Sequence, residues 1–170
     1  MFAHLVWATY GRRPLISPQV RRVLYPFVIE KADLLRCSVL AIGGMPDHMH
    51  VAVRMHPSVC LSKLAQEMKG ASAHRFNHTP GLLGPKLAWQ GGYGAFSFWR
   101  ADARIVVRYI ETQQERHARK QWLRASSSTT ASSPVESFRT ALHLIDSELS
   151  LVNAWERAHK NEDPMTESQP

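Results

Sequence analysis

Two histidines separated by a single residue, His48 and His50, are the first feature of the sequence that suggests chemistry. Alternate side chains of a β-strand project from one face, so a strand here would point both imidazoles the same way. Two imidazoles in that arrangement can ligate one divalent metal ion. The preceding Asp47 could orient one of the rings. An H-x-H pair alone is a weak signal, so a histidine pair without metal and a simple turn carboxylate at Asp47 stay open as alternatives.

A tyrosine and a glutamine four residues apart, Tyr109 and Gln113, form the second candidate group. Two residues that are four apart in a helix lie on the same face of that helix. A tyrosine oxygen can attack phosphorus and form a covalent phosphodiester, and a glutamine oxygen could be a third metal ligand. The alternative for Tyr109 is a core residue with its hydroxyl at the rim. Tyr93, which lies between glycines, is a rival nucleophile, although packing is the more typical role for such a residue.

Other residues that could bind metal give weaker patterns. His74 and His78 are four apart but lack the glutamate of the zinc-binding H-E-x-x-H motif, so we expect an exposed helical pair. Cys37 and Cys60 have no metal-type spacing and are predicted to be reduced, buried thiols, as in a cytosolic protein.

The charge distribution favours a polyanionic partner. The net charge is +7, but residues 1–125 contain 18 Lys and Arg against 7 Asp and Glu, whereas residues 126–170 contain 3 against 7. Basic side chains of the first part could contact phosphates, although each could equally be a solvated surface residue. The candidates are Arg12, Arg13, Lys63, Lys69 and Arg75.

Hydrophobic periodicity predicts the elements that position these residues. Strands are expected at 2–9, 38–42, 48–54 and in the second half of 89–98. A first helix follows the N-cap Ser17 to about Leu35, a second opens at Ser58, and a third follows Asp102. The order β-α-β-β-α-β-α predicts an α+β, ferredoxin-like fold: an antiparallel sheet with helices on one face, plus a C-terminal helical tail.

Composition divides the chain into three parts. Residues 1–124 are the predicted domain, 125–134 a Ser/Thr-rich linker, and 135–170 an acidic helical tail whose end is disordered. No run of 18 apolar residues occurs and the N-terminus lacks a signal peptide, so we expect a cytoplasmic protein without a membrane partner.

Several sequence blocks together resemble one family. The chain resembles the single-tyrosine HUH transposases of small insertion sequences, which include the REP-associated tyrosine transposases, and the resemblance assigns 1–124 as the HUH domain. Several blocks in the same order are far more specific than one motif. The matching blocks are 4–9 with 12–14, 41–51, 61–64, 68–72, 88–97 and 108–113.

The resemblance implies a DNA strand transferase, that is, a metal-dependent endonuclease that also rejoins DNA. In such enzymes the residues matching His48, His50 and Gln113 bind Mg²⁺ or Mn²⁺. The residue matching Tyr109 attacks single-stranded DNA, forming a 5′-phosphotyrosine and releasing a 3′-hydroxyl. Members of the family often act as homodimers on hairpin-ended single strands.

Some segments depart from the family pattern. Phe98, Trp99 and Arg100 stand where a small polar run is expected, and the linker and acidic tail fit the family poorly. Two alternatives therefore stay open. The first is a catalytically decayed or domesticated module that binds hairpin nucleic acid, and the second is a metal-dependent phosphodiesterase that uses water instead of Tyr109.

Overall fold

The computed structural model describes residues 1–81 and 85–115, so the predicted linker and tail lie outside the described residues. The predicted element order is confirmed, with short 3-10 turns before α1 and α3. The elements are β1 (Phe2–Ala8), α1 (Pro18–Leu34), β2 (Ser38–Met45), β3 (His48–Arg54), α2 (Leu61–Asn77), β4 (Gly94–Phe98) and α3 (Ala103–Glu111).

The four strands form one sheet in the order β2-β3-β1-β4, and every neighbouring pair is antiparallel. In the pairing of β1 with β3, Val6 of β1 lies opposite His50 and Ala8 lies opposite His48. This is the predicted α+β class and the strand order of a ferredoxin-like sheet. The register places the H-x-H strand in the interior of the sheet, between β2 and β1.

One face of the sheet carries the main hydrophobic core. Leu5 and Trp7 of β1 and Met49 and Val51 of β3 are fully buried there, because alternate residues of a strand share a face. They belong to one cluster with buried residues of α1 and α2, including Leu24, Val28, Leu64 and Met68. Burying each large aliphatic side chain contributes about 1.5–3 kcal/mol, so this face anchors the sheet.

The two long helices begin differently from each other. Ser17 caps α1 as predicted, and its hydroxyl accepts a hydrogen bond from the amide of Val20 at 3.2 Å. The predicted start of α2 at Ser58 is wrong, because the N-cap is Cys60 and the Ser58 hydroxyl is 2.7 Å from Nδ1 of His56. Cys60 is therefore exposed rather than buried.

The prediction that all helices lie on one face of the sheet is wrong for the third helix. α3 packs against β2 and β3, and its Tyr109 contacts the rings of His4 and His50, which alternate with the core residues. α3 thus covers the sheet face opposite α1 and α2. The histidines make this second face polar, and α3 closes it.

No helix within residues 1–81 and 85–115 is both long and apolar enough to cross a membrane.

Candidate active site

The two histidines of the H-x-H pair lie side by side beneath α3. His48 is 4% exposed and His50 is fully buried, and their ring centroids are 5.1 Å apart at an interplanar angle of 70°. Both lie on β3 with Met49 between them facing the core, as the strand alternation predicts. The sheet therefore presents two imidazoles from one face at a fixed spacing.

The carboxylate of Asp47 holds the first imidazole. Its Oδ1 lies 2.7 Å from Nδ1 of His48, and its Oδ2 lies 2.9 Å from Nε of Arg12. Burial raises the pKa of the Asp47 carboxyl, but the hydrogen bond with His48 and the charges of His48 and Arg12 outweigh it. The pKa is thus lower than its ordinary value. An ionised carboxylate can only accept a hydrogen bond, so the proton of this contact is on Nδ1 of His48, and in the neutral ring the lone pair is then on Nε2.

A third histidine, His4, completes the group and was missed as a site residue by the sequence reasoning. Its Nε2 lies 3.0 Å from Nδ1 of His50, and the two rings are stacked with centroids 5.1 Å apart. Burial lowers the pKa of His4 from 6.5 to about 4, so the ring is neutral at neutral pH. The feature that could have identified His4 is its position in β1: it shares a strand face with Val6, and Val6 pairs with His50.

The tyrosine predicted as nucleophile lies against these histidines. Tyr109 is 8% exposed, and its ring meets His50 edge-on at 5.9 Å and His4 at 6.1 Å between centroids. Val106 and Ile110 on the same helix are also buried. A phenol from α3 and imidazoles from two strands therefore share one buried site within a single chain.

Two consecutive glycines of β2 allow close approaches on both sides, by α3 at Gly43 and by β3 at Gly44. A Cβ at Gly43 would lie 2.5 Å from the backbone oxygen of Ile110, so only glycine lets α3 approach β2 at this point. Gly44 has φ +147°, and a Cβ there would lie 2.3 Å from the backbone oxygen of His48. β2 continues through both glycines to Met45, three residues beyond the predicted strand 38–42.

Gln113 lies just beyond the helix that carries Tyr109. α3 ends at Glu111, and residues 113–115 are again helical after the C-cap Thr112, so the single continuous helix expected for this pair is wrong. The Gln113 side chain is 2% exposed, and its Nε2 has no hydrogen-bond partner among the described residues. Nε2 of Gln114 lies 3.4 Å from the oxygen of Gly44, which ties this segment to the turn before His48.

The donor set fits a divalent ion bound by two imidazoles and an amide oxygen. His48 and His50 both use Nδ1 for their hydrogen bonds, so Nε2 is the atom each could offer, and both Nε2 atoms are buried. Gln113 adds a buried amide whose hydrogen-bonding capacity is incompletely used within the described residues. Across residues 1–81 and 85–115, no three His, Cys, Asp or Glu side chains are grouped to hold a metal, which leaves the Gln113 amide as the candidate third ligand.

Lys69 contradicts the expectation of an exposed, phosphate-contacting lysine. It is 8% exposed, and its Nζ donates to the backbone oxygens of Gln90 at 2.7 Å, Gly91 at 3.1 Å and Gly92 at 2.7 Å. A lysine ammonium has three hydrogens to donate, and these carbonyls can accept all of them. Lys69 therefore fixes the glycine-rich loop before β4.

The other four basic candidates lie at the surface. Arg12 pairs with Asp47, Lys63 pairs with Glu67 at 2.7 Å, and Arg75 pairs with Glu30. Arg13 is exposed next to Arg12. DNA contact by these four exposed residues stays a prediction.

The weaker sequence candidates lie away from the histidine group. The Tyr93 ring lies on the glycine-rich loop, with Nζ of Lys69 5.9 Å from its centroid, and it packs against the main core cluster. His74 and His78 are exposed and stacked at 4.3 Å, and Nδ1 of His78 lies 2.7 Å from the His74 backbone oxygen. Both placements match the structural roles expected for them.

Comparison with known proteins places the chain among transposases. The model of the family described as "Transposase IS200 like" matches residues 1–113, which contain the whole histidine group, Tyr109 and Gln113. The ISDra2 transposase TnpA of Deinococcus radiodurans is 25% identical over 117 residues, which cover 66% of this chain and 84% of that protein.

Two solved structures share the fold. A transposase crystal structure from Deinococcus radiodurans R1 has a TM-score of 0.51 and 24% identity, covering 66% of this chain and 90% of that one. A REP-associated tyrosine transposase bound to a REP hairpin has a TM-score of 0.53 and 19% identity, and the match covers 68% of this chain and 67% of that one.

Proposed function

The chain belongs to the IS200-like transposase family, and from that premise we propose that it cleaves and rejoins single-stranded DNA through a covalent bond to Tyr109. One observation carries the proposal. The phenol ring of Tyr109 packs edge-on against His50, so the candidate nucleophile and a candidate metal ligand share one buried site.

The cleavage step exchanges one phosphate ester for another. The Tyr109 oxygen attacks the scissile phosphorus, the new O–P bond forms, and the bond from phosphorus to the 3′ oxygen breaks. The departing electron pair stays on the 3′ oxygen, which takes up a proton, while the phenolic proton passes to solvent. The products are a 5′-phosphotyrosine and a 3′-hydroxyl, and attack by a 3′-hydroxyl on the phosphotyrosine reverses the step without an energy-supplying cofactor.

His48, His50 and Gln113 are the residues that would hold Mg²⁺ or Mn²⁺. When bound, the ion would polarise the phosphoryl oxygens and stabilise the charge that develops on them. Asp47 and Arg12 support the site from the side of His48. Gly43 of β2, which pairs with His50 of β3, lets α3 with its Tyr109 approach the sheet closely.

The substrate we propose is single-stranded DNA with hairpin ends. The REP-associated tyrosine transposase of similar fold is bound to a REP hairpin, and the basic charge of residues 1–125 suits a polyanion. Exposed Arg12 pairs with Asp47 beside the site, and exposed Arg13 follows it in the chain, so both are candidates for phosphate contact. A homodimer stays a prediction of the family resemblance.

The test is a cleavage assay on a pool of single-stranded hairpin DNAs with Mn²⁺, resolved on a denaturing gel that retains protein-linked DNA. Wild type and the matched control Tyr93→Phe should form a covalent adduct, whereas Tyr109→Phe should not. Cleavage that persists in Tyr109→Phe would instead indicate a phosphodiesterase that uses water. Hairpin binding without cleavage by the wild type would indicate a binding module.

A further inference from the structure

The contact between His4 and His50 is a hydrogen bond between two imidazoles, and its direction decides what His50 can bind. The atoms are Nε2 of His4 and Nδ1 of His50, 3.0 Å apart. If His50 donates from Nδ1, its Nε2 keeps a lone pair and can ligate a metal. If His4 donates, the His50 proton lies on Nε2 and blocks ligation.

The neighbouring His48 has no such ambiguity. Its partner is the carboxylate of Asp47, which only accepts, so the His48 tautomer is fixed by chemistry. A carboxylate placed next to fully buried His50 would bring a second negative charge beneath α3, with a large desolvation cost. A neutral imidazole at His4 supplies an acceptor without that charge.

We propose that His4 is a positioning residue that accepts a hydrogen bond at Nε2 from Nδ1 of His50 and so keeps Nε2 of His50 available as a ligand. The inference rests on the proposed function, since it concerns the metal site at His48 and His50. His4 is not itself a ligand in this arrangement, because its Nε2 is engaged with Nδ1 of His50, whereas His50 offers Nε2 to a metal.

The surroundings of His4 keep this contact in one geometry. His4 is 2% exposed on the central strand β1, between β3 and β4. Its ring is stacked on His50 at 24°, and the rings of Phe96 and Tyr109 lie 6.3 Å and 6.1 Å away. Water cannot readily replace an acceptor enclosed by two strands and α3, so losing His4 would leave Nδ1 of His50 buried without that acceptor.

The experiment uses the full chain and two substitutions of similar size. His4→Gln keeps a side-chain oxygen that can accept from His50, whereas His4→Leu removes the acceptor. Long-range ¹H–¹⁵N spectra of the metal-free protein report which nitrogen of His50 is protonated. Mn²⁺ titration followed by electron paramagnetic resonance then gives the dissociation constant, and thermal unfolding shows whether each variant is folded.

We expect His50 of the wild type to be protonated on Nδ1 before metal is added. His4→Leu should weaken Mn²⁺ binding by about 10- to 100-fold, the usual effect of losing a hydrogen-bond partner of a ligand, and His4→Gln should restore most of it. His50 protonated on Nε2 in the wild type would overturn the proposal, as would equal Mn²⁺ affinities for folded wild type and His4→Leu. Equal weakening in both variants would also overturn it, because it would show a role for ring packing alone.

The spectra separate this inference from the proposed function. If the wild type binds no Mn²⁺, the proposed metal site fails, while the His50 tautomer still shows whether His4 accepts the hydrogen bond. If Mn²⁺ binds but the tautomer is the opposite one, the metal site stands and the role of His4 fails.

Discussion

α3 approaches the sheet closely at Gly43, and adding one methyl group there should separate the tyrosine from the histidines. In Gly43→Ala the new Cβ would lie 2.5 Å from the Ile110 oxygen and 3.0 Å from Ile110 Cγ2, where ordinary contacts begin at 3.4 Å. Backbone in a close-packed interior yields little, so α3 has to retreat by roughly 1 Å. Tyr109, next to Ile110, moves with it.

The expected effect is much larger on activity than on folding. Overpacking of this kind costs about 1–3 kcal/mol, which leaves most domains folded. A displacement of about 1 Å between reacting groups can reduce the rate about 100-fold. We therefore expect Gly43→Ala to unfold cooperatively at lower urea concentration and to form the DNA adduct about 100-fold more slowly than wild type.

Gly70→Ala is the matched control. Gly70 lies within α2, and nothing lies within 4 Å of the position of an added Cβ. This substitution should stabilise the protein by about 0.4–1 kcal/mol and leave adduct formation unchanged. If Gly43→Ala were as stable as wild type and formed the adduct at the same rate, the reasoning would be refuted. That result would show that the position of α3 does not depend on the contact between Gly43 and Ile110.

Three further predictions concern buried polar groups. Metal-free protein should lose stability as the pH falls from 6.5 towards 4, because His4 takes up a proton in the unfolded chain but, with its pKa of about 4, not in the folded one. This pKa shift of His4 corresponds to roughly 3 kcal/mol of unfolding free energy. In urea unfolding, the stability of His4→Gln should therefore depend less steeply on pH than that of wild type. An equally steep pH dependence in His4→Gln would contradict the prediction. Lys69→Met should lower the unfolding free energy by about 1–3 kcal/mol, whereas the exposed control Lys63→Met should leave it nearly unchanged. Weakened DNA binding by Lys69→Met at unchanged stability would instead indicate a phosphate contact. Asp47→Asn should weaken Mn²⁺ binding by about 10- to 100-fold in a calorimetric titration, and unchanged affinity would exclude a role in orienting His48.

The sequence was most informative where periodicity acts locally. Alternation in β1 and β3 and the helical spacing after Ser17 predicted those elements, because the side-chain period directly reflects which face is buried. The same alternation placed His48 and His50 on one face. Glycine was misleading in β2, because it typically ends a strand, whereas here Gly43 and Gly44 are inside one.

Features that depend on distant parts of the chain were not predictable from local pattern. The period of α3 shows that it has a buried side, but only the folded sheet shows which face receives it. His4 and His50 meet because β1 and β3 pair in one register. Lys69 was placed at the surface because lysine is rarely buried, and its three carbonyl partners belong to a loop about twenty residues away.

The most direct test of the central claim is to identify the residue bonded to DNA. The covalent complex would be trapped on a single-stranded hairpin, digested with nuclease and trypsin, and analysed by mass spectrometry. Cleavage after Arg108 and Arg116 yields residues 109–116, which contain Tyr109, whereas Tyr93 falls in residues 87–100. A nucleotide on Tyr109 is the predicted result, and a nucleotide on Tyr93, or DNA cleaved with no modified peptide, would contradict the account.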